Sequence, residues 1–140
     1  MISSFQSFAQ CNDQLLAVAS ERLENYNYVK DFKIKMKKGK KGDVPFQRST
    51  MILNAGFKYK IFTASAKEFD GKLVADFFSQ EGMLASTYSA SNKKHYESIE
   101  FECRKTGVYY LTLYFEEGKE GCGVCVLSIE SDDVKRDRMR

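Results

Sequence analysis

The chain has 140 residues, a length that suits one domain with a real core and excludes two ordinary ones. With 43% hydrophobic and 14% aromatic residues and a single proline, it is neither a disordered nor a collagen-like sequence. A net charge of +3 gives the whole molecule little reason to seek nucleic acid, and no segment approaches the roughly 20 apolar residues that span a bilayer as a helix.

Residues 1–10 carry no charge, and Ser7-Phe8-Ala9 has the small-x-small form of a signal-peptidase site. The basic start and long apolar run of a complete signal peptide are missing, so this segment is expected to be a signal remnant or a frayed terminus. Asn12 to Asn27 predicts a helix, because Leu15, Leu16, Ala19, Leu23 and Tyr26 recur at three-to-four spacing, with Asn12 as N-cap.

From Val29 the period changes to two. Phe32, Ile34 and Met36 alternate with Lys33, Lys35 and Lys37, the pattern of a strand with one wet face. Further strands are predicted at Arg48–Leu53, ended by Asn54-Ala55-Gly56, and at Phe57–Ile61, where a one-residue slip would bury Lys58 and Lys60. Leu73–Ser79 and Met83–Tyr88 follow, then a polar loop from Ser89 to Tyr96. Ile99, Phe101 and Cys103 form the next alternating run, and Lys105-Thr106-Gly107 predicts a short hairpin into Val108–Phe115. That strand is apolar or aromatic on both faces and is expected to be covered on both sides. The last strand is Gly123–Ile129, and residues 131–140 are expected to be a charged, flexible tail. The expected architecture is one domain over residues 11–130: a mostly β, antiparallel, jelly-roll-like sandwich of about eight strands preceded by one α-helix.

The step Leu53-Asn54-Ala55-Gly56-Phe57-Lys58-Tyr59 and the run Thr106-Gly107-Val108-Tyr109-Tyr110-Leu111 resemble the jelly-roll-type sandwiches that follow the catalytic domains of secreted bacterial peptidases, the pre-peptidase C-terminal type. With its leading helix and the run Gly118-Lys119-Glu120-Gly121-Cys122, the whole chain is similar to small exported bacterial proteins of uncharacterised function. The resemblance implies a fold and a periplasmic or extracellular location. It implies no activity.

Catalysis has little material. His95 is the single histidine and lies in a polar stretch beside Lys93, Lys94 and Tyr96, where a solvated role outweighs general-base work. No nucleophile motif supports a triad, and Glu100 and Glu102 sit two apart as on any solvated strand face, so no enzyme activity is expected. Cys122-Gly123-Val124-Cys125 has the spacing of a zinc or redox pair, but no second pair completes four ligands and the motif enters a strand rather than a helix. No metal or other cofactor is expected. Cys11, Cys103, Cys122 and Cys125 would permit two disulfides in any of three connectivities, or leave Cys103 and Cys125 as plain core residues.

Two surface features remain. Lys33, Lys35 and Lys37, within a lysine-rich run, could bind an anionic polymer or lipid surface, but they fit better as guards of an edge strand, and no interleaved aromatics suggest nucleic acid. Tyr110 and Tyr114, on one side of a strand, would suit a sugar-stacking platform if open and a core role if the helix covers them. The function expected is an exported, non-catalytic interaction or structural module whose partner is a protein or a cell-envelope glycan. The alternative is a carbohydrate-binding module using these tyrosines.

Overall fold

The structure is a computed structural model and describes residues 14–139. Its strands are β1 (Tyr26–Met36), β2 (Phe46–Leu53), β3 (Lys58–Ser65), β4 (Leu73–Ser79), β5 (Gly82–Ser86), β6 (Tyr88–Ser89), β7 (Lys94–His95), β8 (Ser98–Glu102), β9 (Gly107–Phe115) and β10 (Gly121–Glu130). Helices flank them: α1 over residues 14–20 and α2 over Asp132–Arg138. Sheet 1 has the order β1-β10-β3-β8, sheet 2 the order β2-β9-β4-β5, and every neighbouring pair is antiparallel. From β1 to β4 the chain changes sheet at each step. It makes the β4–β5 hairpin and the short β6–β7 ribbon, and returns to sheet 1 at β8 before changing sheet twice more, which is the strand order of a jelly roll.

The two inner faces make one core. Phe32 and Ile34 from β1, Tyr59 and Ile61 from β3, Ile99 from β8 and Leu127 from β10 meet Met51 and Leu53, Leu73 and Phe77, and Leu111 and Leu113 from sheet 2. These residues alternate with outward-facing neighbours in the pattern that strands of period two require. The lysines follow the same rule: β1 is an edge of sheet 1, with Lys33 and Lys35 pointing away from the core and Lys37 just past its end.

The outer face of sheet 1 is also covered. Ala19, with Leu15, Leu16 and Leu23, packs on Phe62 and Ala64 of β3 and Val124 and Val126 of β10. Arg22 secures the segment by donating from Nη1 to the Thr63 carbonyl at 2.9 Å. β10 is therefore the strand buried on both faces, with Gly121 to Ser128 all inaccessible. The sequence points to β9 for that place. β9 is central in sheet 2, but its outward residues Tyr110, Thr112 and Tyr114 stay half-buried because α1 lies on the other sheet.

Three further expectations are corrected. Lys105-Thr106-Gly107 does not close a hairpin, because β8 pairs with β3 and β9 pairs with β2 and β4. Turn chemistry reverses the chain without choosing which sheet it enters. The helix predicted from Asn12 to Asn27 ends at residue 20, and Leu23 contributes its apolar contact from the turn that follows. The tail expected to be flexible is helical over Asp132–Arg138. Arg138 holds it down, donating to the buried Glu130 carboxylate from Nε at 2.9 Å and also from Nη2, and to the Gly56 carbonyl at 3.2 Å. Lys135 lies over the Phe57 ring at 3.7 Å.

The hydrogen bonds from Arg138 hold the Glu130 carboxyl below its usual range, with the Lys58 amide adding to the effect and burial opposing it. A depressed folded pKa stabilises the fold above the unfolded glutamate value and is lost as pH falls through the folded one. Urea midpoints are therefore expected to drop on acidification below about pH 4.5, with a shallower drop in Glu130→Gln. An equal drop in both proteins would show that this pair does not control acid stability.

Packing dictates a glycine at the β9–β10 turn. Gly118, at φ +69°, accepts a hydrogen bond from the Gly39 amide at 2.9 Å, and a Cβ there would meet the Asp43 carbonyl oxygen at 2.6 Å. The lysine-bearing loop from 37 to 45 thus seats on the β9–β10 turn.

Candidate functional site

With α1 committed to sheet 1, the outer face of sheet 2 is the broad surface left open among the described residues. Cross-strand register sets its rows. Thr50, Tyr110 and Phe78 lie side by side on β2, β9 and β4, and the next row is Arg48, Thr112, Asp76 and Ser86. Phe46, Tyr114 and Val74 make a third row, and Ile52 faces Val108 at the opposite end. The edge strand β2 leaves Phe46 65% and Ile52 73% exposed.

Tyr110 sits in a shallow depression of about 590 Å3 that it shares with Arg48, Thr50, Ser79 and Gln80. The Arg48 guanidinium lies 4.9 Å from the Tyr110 ring centre, a cation–π contact that holds ring and charge together at the surface. A flat aromatic face, a bidentate donor and hydroxyl and amide groups can together hold a polar molecule that also has an apolar face.

Tyr114 occupies a different environment. Its hydroxyl bonds Asp76, and burial, aided by the Asp76 charge, pushes its pKa up to about 12, so it remains a donor across the neutral range. Ser86 donates to the same carboxylate at 2.6 Å. Over this end folds the β6–β7 ribbon, whose Tyr88 and His95 rings are 4.6 Å apart. Both His95 Nε2, at 2.9 Å, and the Tyr88 hydroxyl bond Glu116, and its carboxyl is held below the usual range, chiefly by the His95 hydrogen bond. Because that carboxylate accepts, Nε2 carries the proton.

His95 is thus not the solvated loop residue expected. Its side chain is 23% exposed and it anchors a ribbon that the polar sequence from Ser89 to Tyr96 hides, because two-residue strands leave no readable period. Tyr110 and Tyr114 share a face as expected, yet α1 covers neither of them. Tyr114 is half-buried beside Asp76, close enough to Tyr88 of the ribbon to feel its charge, and Arg48 stands by Tyr110. Sequence alternation placed Arg48 in β2, but nothing in the sequence marked it as a neighbour of Tyr110.

The lysines do not join this site, since Lys33 and Lys35 belong to the other sheet. Nor do the cysteines. Cys103 and Cys125 are free and buried, Cys122 is disulfide-bonded, and Cys11 lies outside the described residues. Burial pushes the Cys125 thiol up to about 12, so it is unreactive. Alkylation of the native protein should therefore spare Cys103 and Cys125, unfolding should expose both, and Cys122 should react only after reduction, as peptide mapping would show. Among the described residues, no three His, Cys, Asp or Glu side chains are grouped to hold a metal ion. Neither a family model nor a curated protein matches the chain.

Proposed function

We propose that the chain is an exported, non-catalytic binding module that takes a cell-envelope glycan on the open face of sheet 2, with Tyr110 as stacking platform and Arg48, Thr50, Ser79 and Gln80 as polar contacts. The observation that carries this reading is the position of α1: among the described residues it leaves Tyr110 and Arg48 uncovered in a polar depression. The bonded Cys122 supports an oxidising compartment, because cytosolic thiols are kept reduced. Engagement of His95 Nε2 by Glu116 supports a structural role for the histidine over general-base work. The resemblance to exported sandwich modules belongs to the same reading.

A second reading has its own support. Exposed Phe46 and Ile52 on the edge strand β2 flank the same face, and apolar side chains beside an open sheet edge suit a protein partner. A glycan array run beside a pull-down from envelope fractions separates the two. Tyr110→Ala and Arg48→Ala are each expected to weaken glycan binding by about tenfold or more, roughly the loss of one stacking or bidentate contact, with unchanged thermal stability. Retention of binding by both variants would overturn the assignment. Loss of a captured protein in Phe46→Ser and Ile52→Ser, with no glycan bound, would favour the second reading.

A further inference from the structure

A second concavity lies at one corner of the sandwich, where the β4–β5 turn faces the loop between β8 and β9. It encloses about 520 Å3, within the range of small-molecule sites. Its floor is apolar: Phe101 from sheet 1 and Tyr109 from sheet 2 line it, and their ring centres are 5.4 Å apart. Leu84 and Val108 extend the floor outward and are 47% and 36% exposed, apolar surface that an occupant would take from water.

Charge at the rim selects the occupant. Arg104 and Lys105 from the β8–β9 loop have no acidic partner among the described residues, whereas the Glu102 carboxylate at the same rim is answered by Arg138 at 3.2 Å. Glu81, from the β4–β5 turn, is the remaining unpaired acid. A ligand with an anion at the 104–105 end and an apolar body over the rings satisfies these groups. A second anion toward the turn would meet Glu81.

We propose that this corner cleft binds an amphipathic monocarboxylate, an acyl chain or ring inserted against Phe101, Tyr109, Leu84 and Val108 with its carboxylate on Arg104 and Lys105. The site is separate from the Tyr110 depression, although Ser79 and Gln80 form part of the wall of both.

The test uses 8-anilinonaphthalene-1-sulfonate as a fluorescent occupant of the full chain, displaced by octanoate, octanol or octanedioate below their aggregation limits. Octanoate is expected to displace it at least tenfold more effectively than either competitor. The double variant Arg104→Glu/Lys105→Glu should weaken octanoate by tenfold or more, and Leu84→Trp, which fills the mouth, should abolish dye binding. Tyr110→Ala should change neither, which separates this site from the glycan face, and thermal melts check that each variant folds. Equal displacement by octanol, binding insensitive to the charge reversal or the tryptophan, or no dye binding to the wild-type chain would each overturn the proposal.

Discussion

Phe77→Ala is expected to lower the unfolding free energy by about 3–5 kcal/mol, the cost of emptying a fully packed aromatic site. Phe77 is completely buried on β4. Its ring meets Phe101 edge-on at 4.9 Å and stacks on Tyr109 at 5.7 Å, so it ties β8 of sheet 1 to β4 and β9 of sheet 2. Truncation removes the transferred apolar area and leaves the Phe101 and Tyr109 rings, still in contact with each other at 5.4 Å, facing a cavity that packed strands on either side cannot close. Phe78, the next residue, points to the open face and is half-buried, so Phe78→Ala should cost about 1–2 kcal/mol. Urea unfolding of both variants measures the contrast. Equal losses would mean that the alternation of β4 does not separate core from surface.

Cys122→Ala, or reduction of the wild-type protein, is expected to lower stability by about 2–4 kcal/mol, since the bond restricts the unfolded chain. In a domain of this size that is roughly a 10 °C fall in the thermal midpoint. Cys122 is fully buried with Ala66 and packs with Leu15 and Phe69, on the side of sheet 1 that α1 covers. Reductant should therefore shift the melting curve of wild type and of Cys125→Ala, whose thiol is free, but leave Cys122→Ala unmoved. A wild-type midpoint indifferent to reductant would show that the bond adds nothing to the fold.

The core was legible wherever a strand has one wet face. In β1 the lysines alternate with Phe32, Ile34 and Met36, and in β3 Lys58 and Lys60 alternate with Tyr59 and Ile61, because a charged side chain on the inner face would lose its water. Alternation carries no signal where both faces are apolar. The sequence of β9 is apolar or aromatic on both faces, yet β10 carries the second cover, because that depends on where α1 docks, a contact between segments about 100 residues apart for which the sequence holds no local signal.

The candidate site was legible in part. Tyr110 and Tyr114 share a face because period two requires it, but Arg48 beside one and Asp76 beside the other follow from the β2–β9 and β4–β9 registers. Those registers depend on strand pairing that turn residues do not encode, as the sheet change at Lys105-Thr106-Gly107 shows. The His95–Glu116 contact joins positions 21 residues apart across a ribbon too short to leave a pattern.

Alternating polarity along each strand was enough to specify an antiparallel sandwich with its inward residues, since the cost of burying charge acts residue by residue. Choice of neighbours was not local: the jelly-roll order, the sheet that α1 covers, the open face around Tyr110 and the corner cleft all arise when distant segments compete to bury the same apolar surface.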